Sequence, residues 1–286
     1  ALARALAMPG RFEVCAEIFS DDTDVDISAK RVLIRERLRE AEIPAVIVEP
    51  TDSLAICAAV VRLEALAQRL EATAQAMGAP APGTWLDAHR EDGQSFAQWR
   101  RARPNRPTAT RRHIDLVPIG AVPEDRAALF TATEAFLAAF YQLPVRRREP
   151  LALGTIPADA ERFADRPGQR QLRSTWLLER LATVRPDDAI AVLGLTTVDL
   201  WPGAGWNFVF GQASLTERVG VWSTARFGDP ASDGRLPLRR TVATAIHETG
   251  HQFGIQHCTR WRCVMNGSNH LDEADGTPLT ACPECS

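Results

Sequence analysis

The chain has 286 residues, of which 45% are hydrophobic and 24% charged, so it has the composition of an ordinary folded protein rather than a disordered chain. No segment reaches the roughly 18 uninterrupted apolar residues that a membrane-spanning helix needs, which excludes a helical membrane protein. The net charge of −3 is small, and the length suits one catalytic domain with an extension.

Residues 1–105 are predicted to form a partly helical N-terminal extension. Apolar residues at helical spacing follow a Ser28 cap in the segment SAKRVLIRERLREAE, and Pro44 ends this helix before the strand-like AVIVE. A second helix is predicted from Ser53 to near Gly78, where GAPAPG supplies residues that break helices.

An arginine-rich segment connects this extension to the rest of the chain. Six arginines and two prolines lie between positions 100 and 113, which predicts an exposed, extended connector. A nucleic-acid-binding patch is the alternative, but no aromatic residues are interleaved with these charges. We therefore expect no nucleic-acid partner.

Strands and helices alternate from His113 onward. The predicted elements are a strand at 114–120, a helix at 124–143, a strand at 145–153, a polar loop at 154–168, a helix at 171–184 and a strand at 189–201. Two such crossovers predict a mostly parallel sheet. Two closely spaced strands follow at 207–215 and 218–227 with no helix between them, so one is expected to run antiparallel at the edge.

The segment LRRTVATAIHETGHQFG, at 238–254, has helical character and carries a candidate metal site. His247 and His251 lie four residues apart, so on a helix both imidazoles project from one face and can bind one ion. Gly254 can adopt the positive φ that turns the chain back and brings His257 to the same ion. Three protein ligands leave one tetrahedral position for water, as in catalytic zinc sites.

Glu248 is the candidate general acid/base. It follows the first histidine and should lean toward the open position, where it would activate a zinc-bound water and later protonate the departing amine. A bare H-E-x-x-H pattern can arise by chance, but the elongated H-E-x-x-H-x-x-G-x-x-H is far more restrictive. A catalytically idle descendant of such a site stays an alternative.

Two close pairs of cysteines form a second constellation near the C-terminus: Cys258, Cys263, Cys282 and Cys285. Their spacing suits a four-thiolate structural zinc, with disulfides as the main alternative. His257 and Cys258 are neighbours, and neighbouring side chains in an extended segment point to opposite sides, so we expect two metal sites back to back. Cys15 and Cys57 stand apart and are expected to be small buried apolar residues.

Clustered cysteines of this kind also indicate a reducing compartment. The first residues lack a basic head leading into an apolar run, so no secretory signal is expected. Both features favour a cytoplasmic protein.

The run from His247 to Cys285 closely resembles the archaemetzincin family of zinc metallopeptidases, in the metzincin clan. In that family the third histidine is followed directly by a cysteine, then by a second cysteine and a methionine, which here are Cys258, Cys263 and Met265. The closing cysteine pair follows after sixteen residues, about one fewer than in the family pattern. IDLVPIG, VDLWPGAGWNFVFGQASL and VWSTARF also look like family segments, and PGTWLDAHREDGQSFAQW is similar to the N-terminal extension of longer members.

The resemblance implies an α/β fold. It predicts a metzincin-like catalytic domain with a mixed, mostly parallel, twisted sheet, an antiparallel edge strand and an active-site helix. We assign residues 106–286 to this domain, including a small zinc-bound four-cysteine subdomain at 258–286, and residues 1–105 to an α-rich extension.

The resemblance also implies two zinc ions per chain. His247, His251 and His257 would bind the catalytic ion, with Glu248 as general acid/base, and Met265 would form the methionine turn beneath it. The four cysteines would bind the structural ion. An ordinary core residue is the alternative for Met265.

The sequence therefore predicts a zinc-dependent metallopeptidase that acts on peptides or unfolded protein segments. By resemblance, the edge strand near NFVFGQASL would hold an extended peptide by adding it to the sheet. The main alternative is a catalytically idle, zinc-stabilised protein-interaction module. Hydrolysis of a non-peptide amide would use the same metal chemistry.

Overall fold

The structure is a computed structural model and describes residues 74–164 and 169–285. Residues 75–285 form one compact unit. The first predicted helix, most of the second, and Cys15 and Cys57 lie outside the described residues. The end of the second helix, expected near Gly78, is wrong: residues 74–77 are not helical, because the backbone of Gln75 and Met77 instead forms hydrogen bonds with Arg262 and Arg260. Within the described ranges, no helix is both long enough and apolar enough to cross a bilayer.

The described elements alternate between strands and helices. The strands are β1 (His113–Pro118), β2 (Val145–Arg147), β3 (Glu161–Phe163), β4 (Arg170–Arg173), β5 (Ala189–Thr196), β6 (Asp199–Trp201), β7 (Gly211–Ala213) and β8 (Val219–Ser223). The helices are α1 (Trp85–Ala88), α2 (Phe96–Arg101), α3 (Glu124–Tyr141), α4 (Ser174–Val184), α5 (Leu236–Gln252) and α6 (Leu271–Asp275).

A five-stranded sheet forms the centre of the fold, in the order β2-β1-β5-β8-β7. The first four of these strands pair in parallel, and β7 pairs antiparallel to β8 at the edge. This confirms the expected mixed α/β fold with a mostly parallel sheet and an antiparallel edge strand. All eight residues of the central β5 are buried, as its nearly continuous apolar sequence predicts for a strand covered on both faces.

Helices cover both faces of this sheet. On β5, Ala191, Leu193 and Leu195 pack into one hydrophobic cluster with residues of α3 and α5, whereas Val192 packs into another cluster with residues of α4. The division arises because successive residues of a strand point to opposite faces. Helix α5, which carries the histidine motif, therefore lies on one face of the sheet, beside the edge formed by β7 and β8.

A second, three-stranded sheet in the order β3-β4-β6 corrects the sequence prediction. The prediction of a loop throughout 154–168 is wrong, because this segment contains β3. The helix predicted at 171–184 begins only at Ser174, because residues 171–173 belong to β4. The strand expected at 189–201 is two strands, and β6 pairs with β4 instead of extending the main sheet. The buried carboxylate of Asp199 holds this sheet by accepting hydrogen bonds from Gln171 and Arg226.

The strand expected at 145–153 is also shorter than predicted. It ends at Arg147, and beyond it only Leu151 forms an isolated bridge, to Ile119. Pro150 cannot donate a backbone hydrogen bond to a ladder, which accounts for the early end of the strand.

Residues 75–105 pack against the histidine-bearing part of the chain. The Trp99 indole Nε1 donates to the backbone oxygen of Phe253 at 2.8 Å, and the Asn105 side chain donates to the backbone oxygens of Ile190 and Gln252. Asn105 thereby anchors the arginine-rich connector. The division into an extension and a catalytic domain at residue 105 stays a prediction.

Candidate active site

Helix α5 brings the first two imidazoles together. His247 and His251 lie one turn apart, and their Nε2 atoms are 3.0 Å from each other. The two rings are perpendicular, with centroids 4.5 Å apart. Both side chains therefore point their Nε2 atoms into one space.

A glycine turn returns the third imidazole to this space. Gly254 has a φ of +76°, a conformation that glycine adopts without strain, and it follows Phe253, the C-cap residue of α5. The His257 ring centroid then lies 5.2 Å from that of His247 and 5.0 Å from that of His251. One nitrogen from each ring lies within 4.8 Å of the others. We call these three residues the imidazole site.

Each imidazole uses its Nδ1 for a hydrogen bond within the protein. His247 Nδ1 lies 2.8 Å from the backbone oxygen of Val264, and His251 Nδ1 lies 2.7 Å from that of Ile255. A hydrogen on each Nδ1 leaves Nε2 as the acceptor nitrogen, which is the form that binds a metal.

His257 differs because its Nδ1 contacts a carboxylate. The two oxygens of Glu91 lie 3.0 Å and 2.9 Å from this nitrogen. Burial alone would raise the pKa of Glu91, but the hydrogen bond and charge of His257 outweigh it and lower that pKa below its ordinary value. Glu91 was not among the residues that the sequence singled out.

Burial keeps the helix-borne imidazoles neutral. Burial and the neighbouring histidines lower the pKa of His247 well below its ordinary value, and the same causes lower the pKa of His251 to about 4. Both rings are therefore uncharged at neutral pH. A metal ligand must be uncharged imidazole, so this donor set fits a zinc ion.

The carboxylate of Glu248, which lines the same cleft as the three imidazoles, has one oxygen without a partner in the part of the chain that the structure describes. The residue is 5% exposed, and its Oε2 is buried with no hydrogen-bond partner among the described residues. Burial raises the pKa of Glu248 to about 8. Such an atom is costly to bury unless it meets water or another ligand, so its orphaned oxygen also fits a site built for a bound water.

Gly211 of β7 explains how this carboxylate fits against the edge strand. A Cβ atom built at Gly211 would lie 2.5 Å from Glu248 Oε1 and 2.7 Å from its Cδ, closer than real Cβ atoms approach a neighbour. The missing side chain of Gly211 therefore makes the space that Glu248 occupies.

Met265 lies beneath the histidine helix. It is 2% exposed, and its sulfur would overlap a Cβ atom at Gly250, so the glycine in α5 lets the two segments approach closely. Its assignment to a methionine turn stays a prediction.

The four C-terminal cysteines also converge, and we call them the thiol site. Their sulfur atoms lie within 4.8 Å of one another, all four residues are buried, and all four are free thiols, with Cys258 and Cys282 sulfurs 3.6 Å apart. The backbone N–H groups of Met265 and Cys282 donate to the sulfur of Cys263. Hydrogen bonds from the other three cysteines lower the pKa of Cys258 far below its usual range. Four converging buried thiols fit a closed structural zinc site.

Asn266 holds the loop between the two clusters. Its Oδ1 accepts from the Cys263 backbone N–H at 2.8 Å, and its Nδ2 donates to the backbone oxygens of Cys258 and Trp261. This loop also supplies the Val264 oxygen that orients His247. The same few residues therefore shape both clusters.

A cleft of about 830 Å³ opens onto the imidazole site. It is lined by residues of α5, by the segment 205–213 with the edge strand β7, and by Val264 and residues 266–269. The cleft is also lined by an aromatic rim of Trp85, His89 and Trp206: the ring of His89 stacks on that of Trp206 with centroids 5.4 Å apart, and the tilted ring of Trp85 lies 4.1 Å from that of His89. The cleft is large enough for several residues of an extended chain.

Sequence reasoning did not identify Glu91 or this aromatic rim. Glu91 lies 166 positions from His257, so no spacing rule joins them. The one signal was the likeness of PGTWLDAHREDGQSFAQW to the extension of longer archaemetzincins, which marks the segment without assigning a role to any of its residues.

The chain is similar in sequence to proteins of one known family. The sequence profile of Peptidase family M54 matches residues 156–286. Archaemetzincin-2 of Pongo abelii is 35% identical over 243 residues, covering 71% of this chain and 66% of that relative. The archaemetzincin of Thermococcus kodakarensis is 36% identical over 181 residues, covering 61% of this chain and 93% of that relative.

A solved structure shows the same fold. The crystal structure of an archaemetzincin from Methanopyrus kandleri matches with a TM-score of 0.51 and 31% identity, covering 63% of this chain and 93% of that one. The chain thus spans nearly all of the archaeal relatives and 66% of the length of the Pongo abelii relative.

Proposed function

Because the chain belongs to the archaemetzincin family, a family of zinc metallopeptidases, we propose that it hydrolyses peptide bonds in a zinc-dependent reaction. One observation carries this proposal: three imidazoles and a buried carboxylate oxygen without a hydrogen-bond partner share one open cleft. This is the arrangement that a water-activating site requires.

In this proposal the imidazole site binds the catalytic ion through His247, His251 and His257. Zinc held there supplies a Lewis acid that lowers the pKa of water and polarises the scissile carbonyl. The Nδ1 hydrogen bonds to Val264, Ile255 and Glu91 hold the three rings in the orientation that directs Nε2 into the cleft.

Glu248 moves the proton. Its Oε2, which faces no protein partner, accepts a proton from the attacking water and returns it to the nitrogen of the departing amine. Burial raises the pKa of this carboxyl to about 8 when no ion is bound, and the positive charge of zinc at the imidazole site would lower that pKa so that the carboxylate can accept the proton.

A second zinc on the thiol site would hold the C-terminal segment in place, giving two ions per chain. Four buried thiols leave no open ligand position, which suits a structural role. Gly254 would direct His257 to the catalytic ion, and Met265 would support the histidine helix from below in a metzincin-like domain at 106–286. Free thiols used as ligands also suit a reducing compartment, so we place the protein in the cytoplasm.

The substrate in this proposal is an extended peptide or an unfolded protein segment. The edge strand β7 pairs with β8 on one side only, and Gly211, Gln212 and Ala213 line the cleft. A peptide laid along this edge could add main-chain hydrogen bonds to the sheet, and its scissile bond would then lie near Glu248.

The rival possibility is a zinc-stabilised interaction module with an idle histidine helix. In such a module nothing would require a buried, unpartnered carboxylate to face the cleft, and its cost in stability would be unexplained. The family relationship also favours the enzyme.

Digestion of a mixed peptide pool by the zinc-loaded chain, with products sequenced by mass spectrometry, tests the proposal. We expect cleavage by the wild-type chain and a loss of about 10²–10⁴-fold in turnover for Glu248→Gln, which keeps the size of the side chain but cannot accept the proton. Zinc content should stay at two ions per chain in both proteins.

Glu179→Gln is the matched control, because Glu179 is exposed on α4, on the other face of the sheet, and should retain full turnover. If the wild-type chain leaves every peptide intact, or if Glu248→Gln cleaves at the wild-type rate, the proposed mechanism is wrong.

A further inference from the structure

We propose that Glu91 is a positioning residue of the imidazole site, whose carboxylate fixes the ring of His257 and thereby tightens zinc binding. It would touch neither the metal nor the substrate. The inference rests on the proposed function only in requiring that the three imidazoles bind zinc.

The three imidazoles are oriented by different means. The acceptors for His247 and His251 are backbone oxygens at positions 264 and 255, which no side-chain substitution removes. The acceptor for His257 is a side chain from a distant part of the sequence. The third ligand is therefore the one whose orientation depends on a single replaceable group.

His257 also has the weakest local support. The other two histidines lie on α5, whereas His257 follows the glycine turn in an irregular segment. An imidazole there can rotate unless contacts fix it, and each rotatable side chain that must be ordered reduces the affinity for the ligand it binds. A carboxylate in contact with Nδ1 through both oxygens supplies this constraint.

A carboxylate behind a metal-binding imidazole has a known physical effect. It fixes the tautomer with hydrogen on Nδ1, it fixes the ring plane, and it makes the other nitrogen a better electron donor. Loss of such an outer partner typically weakens metal binding about 10–100-fold.

Hydrogen bonds formed by residues before and after Glu91 hold its segment close to the imidazole site. Upstream, the Trp85 N–H donates to both carboxylate oxygens of Glu273, at 3.0 Å and 3.2 Å. Downstream, the Gln94 side-chain oxygen accepts from the Gln256 N–H at 3.2 Å, one residue before His257. The segment that carries Glu91 is thus tied to the chain on either side of the imidazole it contacts.

Trp85 adds a packing contact to the same imidazole. Its ring meets that of His257 edge-on, with centroids 5.1 Å apart and planes at 84°. It lies against Gly267, where a Cβ atom would come within 2.5 Å of the indole. His257 is therefore enclosed by Trp85 and Glu91, which leaves its remaining nitrogen toward His247 and His251.

The test measures zinc affinity by chelator competition on the full zinc-loaded chain and follows the more weakly held of the two ions. We expect Glu91→Ala to weaken binding of that ion about 10–100-fold, and Glu91→Gln to weaken it less, because the amide oxygen still accepts from Nδ1. The ion on the thiol site should be retained equally in all proteins.

Asp92→Asn is the matched control, since it removes the same charge one residue away and should leave zinc affinity unchanged. A purely structural role for Glu91 would instead lower the thermal unfolding midpoint of the chelator-treated protein and would not be rescued by Gln. We expect the midpoint of chelator-treated Glu91→Ala to match that of the chelator-treated wild type.

The inference is overturned if Glu91→Ala binds zinc as tightly as the wild type, or if Asp92→Asn loses as much affinity as Glu91→Ala. These outcomes leave the proposed function intact, because the wild-type chain still binds zinc at the imidazole site. If the wild-type chain binds no zinc there, both the proposed function and this inference fail.

Discussion

The imidazole site and the thiol site lie side by side in the sequence but differ in access to solvent. The four cysteines are all buried, with their sulfur atoms within 4.8 Å of one another, whereas the three histidines are partly buried and line a cleft of about 830 Å³. A closed set of ligands can only hold an ion, but a set open to a cleft can also present it to a substrate. The surroundings of each site, more than the kind of ligand, separate a structural role from a catalytic one.

A second difference lies in the hydrogen-bond partners of the polar atoms around the two sites. In the thiol site, the Cys263 sulfur accepts hydrogen bonds from two backbone N–H groups. The imidazole site has Glu248, whose buried Oε2 has no partner in the described part of the chain. Unsatisfied buried groups of this kind mark sites where function opposes stability.

The largest expected effect comes from breaking the thiol site with Cys263→Ser. Binding of a structural zinc contributes about 10–16 kcal/mol, which is comparable to the whole stability of a typical domain. We expect this variant to lose one zinc ion and its cooperative thermal unfolding transition, and to lose peptide cleavage because Cys258 no longer fixes its neighbour His257.

Thr280→Ala is the control for this variant, since it keeps the backbone bond from Val264 to residue 280 and all four thiols. Zinc analysis and calorimetry check both proteins. Two zinc ions and a wild-type unfolding midpoint in Cys263→Ser would show that the thiol site does not stabilise the fold.

A smaller effect should appear in the pH dependence of stability once a mild chelator has emptied the imidazole site. Burial raises the pKa of Glu248 from its ordinary 4.5 to about 8, so the folded chain binds this proton more tightly than the unfolded chain. The resulting stability is fully present below pH 4.5 and is lost as the pH rises through about 8. The total is on the order of 5 kcal/mol.

Glu248→Gln isolates the contribution of Glu248 to the pH dependence of stability. The low pKa values of His247 and His251 also reduce stability as the pH falls below about 6.5, but they do so equally in the wild type and the variant. The difference in the free energy of unfolding, measured by urea titration, should grow in favour of the variant between pH 5 and pH 8. A difference that stays constant over this range would show that Glu248 is not buried as described.

The smallest expected effect comes from a substitution that adds a side chain beside the imidazole site and leaves the thiol site unchanged. An alanine at Gly211 would push against the carboxylate of Glu248, so Gly211→Ala should lower kcat about 10–100-fold with little change in the unfolding midpoint. Gly220→Ala provides the contrast, because its Cβ would lie 2.6 Å from Gln252 Nε2 and 3.0 Å from Leu193 Cδ1, in the core.

We expect Gly220→Ala to destabilise the fold by about 1–3 kcal/mol and to affect kcat less than Gly211→Ala does. Steady-state kinetics and thermal unfolding of the two variants provide the comparison. Equal losses of kcat and stability in both would show that Gly211 has no special relation to Glu248.

Much of the main sheet could be predicted from the sequence because its strands are buried on both faces. The apolar run of β5 and the helical spacing of α3 carry the pattern that burial imposes. The close spacing of β7 and β8 also indicated an antiparallel edge strand. These features are local, so they can be recognised without knowledge of the partners.

The small sheet could not be predicted in the same way. Its strands have three or four residues each, too few for an alternating pattern to stand out. It is held by hydrogen bonds to the buried Asp199 from Gln171 and Arg226, which lie 28 and 27 positions away. Contacts over such distances leave no trace in local composition.

The candidate site shows the same division. His247, His251 and His257 converge as their spacing predicted, because one helix and one glycine turn suffice to join them. Glu91 joins them only through tertiary packing of a segment far away in the sequence. The convergence of the three imidazoles is therefore encoded locally, whereas the contact of His257 with Glu91 is not.

X-ray absorption at the zinc edge of the fully loaded wild-type chain tests the central distinction most directly, because it reports the ligand atoms averaged over all bound ions. One closed four-thiolate site and one open three-imidazole site predict an average of about two sulfur ligands per zinc near 2.3 Å and about two nitrogen or oxygen ligands near 2.0–2.1 Å. A spectrum with sulfur ligands alone would contradict the account, since it would leave the histidines and Glu248 without a metal.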